Sequence, residues 1–196
     1  MSGRRLPPLP PDALDPTARD LYDTIAGGRR AGTRAGSITE PDGSLIGPFN
    51  PLLYAPGVGD AVQRLGEALR FEARLDNQLL EIAVLTVARH WTAQFEWWAH
   101  ARLAQAAGVD EAIIEAIRTR SEPPWTDTTQ PIVHRFTKQI LEDHHVDDDT
   151  WAATQAALGD QEVVELVTLI GYYGLISANL NVFRAPMPAG VEDPLS

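Results

Sequence analysis

A helical segment between residues 77 and 105 carries four of its ionisable side chains along one side, and this pattern constrains the fold more than any other. Six residues follow one another there in steps of three or four: Glu81, Leu85, Arg89, Thr92, Glu96 and His100. On a continuous helix they would fall within a sector of roughly 100°, because each residue turns by about 100° around the axis. The rest of the segment is mostly apolar or aromatic. An apolar helix with one charged side is typically buried against a site or a partner.

Glu96 and His100 are four residues apart, so both side chains share one helix face. The simplest interpretation is a structural one. Such a pair on a helix surface contributes only a few tenths of a kcal/mol, and Glu81 with Arg89 can form an ion pair that holds two helices together. The apolar surroundings favour burial instead, and burial shifts pKa values toward those that proton transfer needs. We therefore predict that Glu96 and His100 carry protons in a site.

The fold class follows from the pattern after Val58, which is helical almost throughout. No strand-like alternation bounded by turn signals occurs, so we predict an all-α bundle of about six to eight helices. The 196 residues suffice for one sizeable core. We expect residues 57–196 to form the helical domain and residues 1–56 to pack on it as part of one globular unit. The predicted helices cover residues 58–71, 77–105, 110–119, 127–143, 147–158 and 161–182.

The N-terminal 56 residues contain an arm, one helix and a long loop. The prolines between Leu6 and Pro11 predict an extended polyproline-like arm, which lies across a neighbouring subunit or is simply a terminus. Asp15 and Pro16 are typical of a helix start, and the helix should end near Gly27. Residues 29–56 form the loop. We expect its second half to dock through apolar side chains and its first half to be mobile.

The segment 77–105 has two interpretations. A continuous helix of that length would extend for about 43 Å at 1.5 Å per residue. Alternatively, the helix breaks near Trp91 and Thr92 caps a new helix. Glu81 and Arg89 would then reach the site from the preceding helix. The pairing of Glu96 with His100 holds in both cases.

A faint internal repeat links two helix starts. Asp76 and Asp160 are each followed five residues later by a glutamate, Glu81 or Glu165, at a constant offset of 84. One interpretation is a duplicated helical hairpin whose second copy supplies pocket walls. The other is that two buried helices both begin with aspartate and look alike.

Residues Leu79 to Ala107 resemble the carboxymuconolactone decarboxylase family, which includes the alkylhydroperoxidase-D branch. The matching pieces are Leu-Leu-Glu81-Ile-Ala-Val-Leu, Val-Ala-Arg89, Glu96-Trp97-x-x-His100 and the trailing Ala104-x-x-Ala107-Gly108. The upstream Gly47-Pro48-Phe49-x-Pro51 resembles the lead-in of longer members. The resemblance implies an alkylhydroperoxidase-D-like helical bundle that assembles as a homo-oligomer, a trimer or hexamer.

The chain departs from the peroxidase members of that family at two positions. In those members a Cys-x-x-Cys pair precedes the histidine. Here Ala93 and Glu96 occupy these positions, and the chain contains no cysteine. Peroxide reduction by that route needs a thiolate nucleophile, so it is excluded. Decarboxylase-type chemistry needs only acid–base groups and is therefore compatible with the sequence.

Decarboxylation of a carboxylated unsaturated lactone requires no cofactor, because the lactone ring accepts the electron pair that carbon dioxide leaves behind. Arg89 is predicted to bind a carboxylate or the lactone oxygen through two hydrogen bonds. His100 donates the proton or stabilises the enolate, since its ordinary pKa lies near neutrality. Glu96 orients His100 or acts as the acid itself. Glu81 positions Arg89 or His100.

Tyr54, Trp97 and Tyr172 are candidate substrate-binding walls, although each can equally be core packing. We expect no metal site. The neighbouring His144 and His145 point in different directions, which does not favour shared ligation.

Charge restricts the partners. The formal net charge of −11 argues against nucleic acid and anionic membranes. The apolar segment 163–183 is interrupted by Glu165, Asn179 and Asn181, which favours a core helix over a membrane span.

We expect a cytoplasmic enzyme that acts on a small carboxylated lactone or a related enolisable acid. The competing hypothesis is a non-catalytic helical protein that binds a small ligand or a partner and has lost the redox cysteines of its relatives.

Overall fold

The computed structural model describes residues 3–29 and 38–195, and this part of the chain is helical without a strand. The all-α prediction is confirmed. Eight helices have nine residues or more, and a ninth, α2, is a single turn. The helices are α1 (Pro16–Ala26), α2 (Phe49–Leu52), α3 (Pro56–Phe71), α4 (Asn77–Trp91), α5 (Gln94–Ala107), α6 (Glu111–Thr119), α7 (Gln130–Glu142), α8 (Asp148–Leu158) and α9 (Asp160–Phe183).

Helix α4 lies at the centre of the bundle and contacts α5, α6, α7 and α9. Ten consecutive residues of it, 79–88, are buried. Leu80 and Val84 face one apolar cluster, shared mainly with α7 and α9. Ile82 and Leu85 face a second one, shared with α5 and α6. Because residues 79–88 are buried on all sides, Glu81, the ionisable residue among them, must find its partners inside the protein.

The segment 77–105 is not one continuous helix. Helix α4 ends at Trp91, and Thr92 follows in the left-handed conformation with φ 50° and ψ 43°. Helix α5 begins at Gln94, preceded by Ala93, which has no side chain able to cap it. The break near Trp91 is present, but the predicted role of Thr92 as a helix N-cap is wrong, since Thr92 ends α4. The turn folds α5 back against α4, with which it packs closely.

The N-terminal arm binds to its own chain. Leu9 N donates to Asn50 Oδ1 and Asn50 Nδ2 donates to Pro7 O, both at 2.9 Å. The backbone N–H of Arg5 donates to Phe183 O at the end of α9, also at 2.9 Å. The arm therefore connects α2 to the C-terminal end of α9 within one chain.

Helix α1 begins as its sequence predicts, with the Asp15 side chain accepting a hydrogen bond from Ala18 N. The second half of the predicted loop 29–56 docks against it. Leu45, Leu52 and Leu53 form a small apolar cluster with residues of α1. The first half of this loop is predicted to be mobile. Most of it, residues 30–37, lies outside the described part of the chain.

The two helix starts related by the offset of 84 differ in structure. Asp76 caps α4 through its side chain, whereas α9 begins after Gly159 without a side-chain cap. Glu165 Oε2 accepts hydrogen bonds from Arg74 N and Leu75 N, and so holds the turn before α4. No further helix follows α9 in the described residues. The likeness therefore covers two core helices that pack on each other and does not extend to a second hairpin.

Helix α9 is long and apolar enough, by length and composition, to cross a membrane. Half of its most apolar window is buried inside the protein, and a core helix meets the same criterion, so this is weak evidence for a span. Its outer side exposes four large apolar residues: Val164, Val167, Leu175 and Val182.

We predict that Thr92→Gly stabilises the protein. A β-branched residue in the left-handed region is strained, and glycine relieves that strain. The free energy of unfolding should rise by up to about 1 kcal/mol, measured by urea denaturation. Thr129→Gly is the matched control and should lower it, because Thr129 has an ordinary φ of −89°. An equal loss of stability in both variants would contradict strain at Thr92.

Candidate functional site

His100 lies between two glutamates in the interior of the protein. Its Nδ1 is 2.6 Å from Glu81 Oε2, and its Nε2 is 3.0 Å from Glu96 Oε1. All three residues are buried, with at most 6 % of their surface exposed. Both ring nitrogens are occupied by carboxylates, so in this arrangement the imidazole is not free to bind a metal ion.

The turn between α4 and α5 brings these residues together. Glu81 lies in the second turn of α4, 19 residues before His100 in the sequence. Glu96 lies in the first turn of α5, where the N-terminal end of the helix favours a negative charge. His100 follows one turn later on the same face. The structure thus brings together the predicted residues Glu81, Glu96 and His100, and their catalytic role stays a prediction.

Two further residues join this group, and neither was predicted from the sequence. Arg70 Nη1, from the last turn of α3, lies 3.6 Å from Glu81 Oε1. The same nitrogen donates to the Tyr173 hydroxyl on α9 at 3.5 Å. The Tyr173 ring meets the His100 ring edge-on at 4.9 Å between centroids. We call Arg70, Glu81, Glu96, His100 and Tyr173 the buried cluster.

The charges of the buried cluster balance. Glu81 and Glu96 contribute two negative charges, and Arg70 with a protonated His100 contributes two positive ones. Burial alone lowers the pKa of His100, but the charges of Glu81 and then Glu96, with their hydrogen bonds, outweigh it and raise this pKa to about 8. His100 is therefore an imidazolium at neutral pH, and both ring nitrogens are donors.

The same surroundings shift Arg70 and Tyr173. Burial lowers the pKa of Arg70, but the interactions with Tyr173 and Glu81 outweigh it, so the net direction is upward. Burial raises the pKa of the Tyr173 hydroxyl well above its ordinary value, although Arg70 opposes the shift. Arg70 thus stays charged and Tyr173 stays neutral at neutral pH. Of these two residues and His100, only His100 changes its charge close to neutral pH.

Arg89 does not belong to the buried cluster, and its predicted placement beside Glu81 and His100 is wrong. Its Nε donates instead to Arg118 O at 2.6 Å. Arg89 lines a separate cavity of about 400 Å³ together with Arg120 and Lys138. Burial and then the charges of Arg120 and Arg118 lower the pKa of Arg89. The reason is geometric: Glu81 and Arg89 lie eight residues apart on α4, which separates them by about 12 Å along the helix axis.

The three predicted wall residues lie in different places. The Tyr54 hydroxyl donates to Pro7 O at 2.9 Å, so Tyr54 fastens the N-terminal arm and does not line the buried cluster. Trp97 packs in the apolar cluster of Ile82 and Leu85. Tyr172 meets the ring of Tyr173 edge-on, with 5.2 Å between the centroids, and so packs behind a member of the buried cluster.

Of the two residues that were not predicted, only Tyr173 had a signal in the sequence, namely its place beside the predicted wall residue Tyr172. Tyr173 stands next to Tyr172 in α9, a helix that is apolar on nearly all sides, so periodicity could not decide which tyrosine faces the site. Arg70 had no motif around it. Its partner Tyr173 lies 103 residues away, and local spacing carries no information over that distance.

Comparison with solved structures identifies the fold. A protein of unknown function from Agrobacterium tumefaciens, described as a putative antioxidant defence protein AhpD, is 19 % identical with a TM-score of 0.65; the match covers 74 % of this chain and 99 % of that one. An uncharacterised peroxidase-related protein with an alkylhydroperoxidase AhpD core, from Ralstonia eutropha JMP134, is 14 % identical with a TM-score of 0.72, covering 96 % and 94 %. No protein-family model and no curated protein matches the chain. The chain has the AhpD-like fold.

We predict that the protein loses stability at alkaline pH, because His100 gives up its proton there. Because its folded pKa of about 8 exceeds the ordinary 6.5, its stabilising contribution is complete below pH 6.5 and is lost as the pH rises through 8. The shift corresponds to about 2 kcal/mol. Urea unfolding between pH 6 and pH 9 should show this loss in the native protein and not in His100→Gln.

His145→Gln is the matched control for this experiment. His145 is exposed, and its Nδ1 lies near the backbone oxygen of Asp143. This variant should keep the alkaline loss of the native protein. Identical pH dependence in the native protein and in His100→Gln would show that the imidazolium is not stabilised by the two carboxylates.

Proposed function

We propose that this AhpD-like chain is a cofactor-free proton-transfer enzyme of the carboxymuconolactone decarboxylase type, acting on a small carboxylated lactone or a related enolisable acid. One observation carries the proposal: a histidine ring held between two carboxylates inside an apolar bundle. A histidine whose pKa lies close to the working pH is the kind of group that general acid–base catalysis requires.

The proposed reaction needs one proton. The bond between the ring and the substrate carboxylate breaks, carbon dioxide leaves, and the electron pair enters the conjugated lactone as a dienolate. A proton then adds to carbon, and solvent restores it to the enzyme. His100 supplies this proton from Nε2, and Glu96, which shares that nitrogen, passes it toward the substrate.

Glu81 has a positioning role in this proposal. Its short contact with Nδ1 fixes the orientation of the imidazole and keeps it protonated. The other oxygen of Glu81 faces Arg70. Glu81 therefore connects the proton donor to the cation of the site and is not itself required to reach the substrate.

Arg70 takes the role that the sequence analysis assigned to Arg89. It is the cation of the buried cluster, and a guanidinium carries five N–H donors, of which the contacts with Glu81 and Tyr173 engage one nitrogen. The remaining donors can stabilise the negative charge that develops on the lactone oxygen. Stabilisation of this kind by fixed donors is usually a large part of an enzyme's rate acceleration.

The names of the two similar structures suggest peroxidase chemistry. We do not propose thiol-based peroxidase chemistry for this chain. The sequence contains no cysteine, so it has no thiolate to attack a peroxide. Glu96 stands where the family resemblance places the second cysteine. The substitution replaces a redox group by an acid–base group.

A non-catalytic role has one observation in its favour. The side chains of Glu81, Glu96 and His100 are at most 7 % exposed, as expected for an ion cluster that only holds helices together. In that case the protein would be a helical binding protein, and substitutions in the cluster would alter stability without any reaction to lose.

The partner, the cellular location and the oligomeric state that accompany this function remain predictions. The proposed partner is a small molecule, because a net charge of −11 disfavours nucleic acid and anionic membranes. A cytoplasmic location and a homo-oligomer, trimer or hexamer, are proposed with it. The apolar side chains that α9 exposes support assembly, since exposed apolar patches often mark interaction surfaces.

We predict that His100→Ala and Glu96→Gln each abolish decarboxylation of carboxymuconolactone by the purified protein. Loss of one acid–base group typically lowers turnover by about 100-fold to 10,000-fold. Substrate loss and carbon dioxide release would be followed together, with folding checked by circular dichroism.

A matched pair of arginine variants separates the structural assignment from the sequence-based one. Arg70→Gln should lower turnover, while Arg89→Gln, which removes a charge outside the buried cluster, should leave it unchanged. Full turnover in His100→Ala would refute the proposed role. Absence of turnover in the native protein, with cluster variants that change only stability, would favour the binding protein.

A further inference from the structure

A second cavity lies on the opposite side of α5 from the buried cluster. It has a volume of about 290 Å³ and is enclosed by the N-terminal arm, residues 39–51, α5 and the segment after α9. Helix α5 contributes Phe95, Trp98 and Arg102 to it, at steps of three and four residues. Glu96 and His100 point elsewhere on the helix, because they lie about 150° further around its axis. The cavity and the buried cluster are therefore separate sites.

Arg102 is the group that gives this cavity its charge. Its guanidinium lies over the Trp98 ring, 4.8 Å from the ring centre. In such stacking the guanidinium uses its flat face and keeps its N–H groups free in the plane, where they suit a carboxylate. No acidic side chain among the described residues pairs with Arg102. By contrast, Arg4, which also lines the cavity, lies 3.4 Å from Glu40.

The rest of the lining is mainly apolar. Leu45, Ile46, Phe183 and Pro186 contribute to the walls. Gly47 brings its backbone against Phe95: with φ 57°, a Cβ on this residue would lie 2.4 Å from Phe95 Cε1. The close approach ties the loop wall to α5 and gives the cavity a fixed shape. Cavities of this size, apolar with a few polar groups, are typical of small-molecule sites.

We propose that this cavity binds a small aromatic or alicyclic monocarboxylate. The carboxylate accepts two hydrogen bonds from the Arg102 guanidinium, and the ring lies against Trp98 and Phe95. The uncompensated positive charge selects an acid over its neutral analogue, and the apolar walls select a ring over a polar chain. This site is independent of the proposed decarboxylation, because none of the buried cluster lines it.

Isothermal titration calorimetry with 2-naphthoate tests the proposal directly. The native protein should bind 2-naphthoate and should bind the neutral 2-naphthamide at least about tenfold more weakly, because a charge-assisted pair of hydrogen bonds is lost. Arg102→Gln should weaken 2-naphthoate binding by a similar factor. Arg64→Gln, which removes an exposed arginine paired with Asp60 on α3, is the matched control and should bind as the native protein does.

Two more variants locate the binding. Ala189→Phe places a ring into the cavity from its exposed rim and should abolish binding in a protein that still unfolds cooperatively. His100→Ala should bind 2-naphthoate normally, whatever its effect on turnover. The proposal is overturned if the native protein does not bind 2-naphthoate or if Arg102→Gln binds it unchanged. It is also overturned if His100→Ala loses the binding while Arg102→Gln and Ala189→Phe keep it.

Discussion

Two carboxylates inside an apolar bundle set the strongest physical demand in this structure. Removing an ion from water costs several kcal/mol even after the protein relaxes, so Glu81 and Glu96 require positive charges and hydrogen bonds within reach. His100 serves both carboxylates, and Arg70 brings the second positive charge to Glu81. His100 on α5 and Arg70 on α3 must therefore both reach Glu81 on α4, and Tyr173 on α9 accepts a hydrogen bond from Arg70 beside them.

The turn at Thr92 and Ala93 makes this convergence possible. It ends α4 at the surface, where Trp91 and Thr92 are exposed, and returns α5 along it, so that a glutamate from one helix meets a histidine from the next. The same helix, α5, has two faces with different surroundings. One carries Glu96 and His100 toward the core, and the other carries Trp98 and Arg102 toward a separate cavity. A single helix thus contributes to the buried cluster, whose charges balance, and to a cavity whose Arg102 has no acidic partner among the described residues.

Local spacing was sufficient to predict some of these features and not others. The Glu96 and His100 pair depends only on a helical repeat within α5, and Glu81 followed from extending that repeat backwards as well as from the family resemblance. Arg89 was misplaced because a helical wheel ignores distance along the axis: Arg89 shares α4 with Glu81 but lies about 12 Å further along it. Arg70 and Tyr173 meet through packing of α3 on α9, which no local pattern encodes. Helix boundaries away from the break followed capping and periodicity closely, as at Asp15 and Asp76.

The sequence distances within the buried cluster bear on how the chain folds. Glu81, Glu96 and His100 belong to one hairpin and are separated by at most 19 residues, so their contacts need only a short loop closure. Arg70 and Tyr173 are separated by 103 residues, and their contact requires α9 to dock. Short-range contacts form at lower entropic cost than long-range ones. The hairpin of α4 and α5 alone would hold two negative charges against one positive charge, so it is the packing of α3, which brings Arg70 to Glu81, that completes the electrical neutrality of the core.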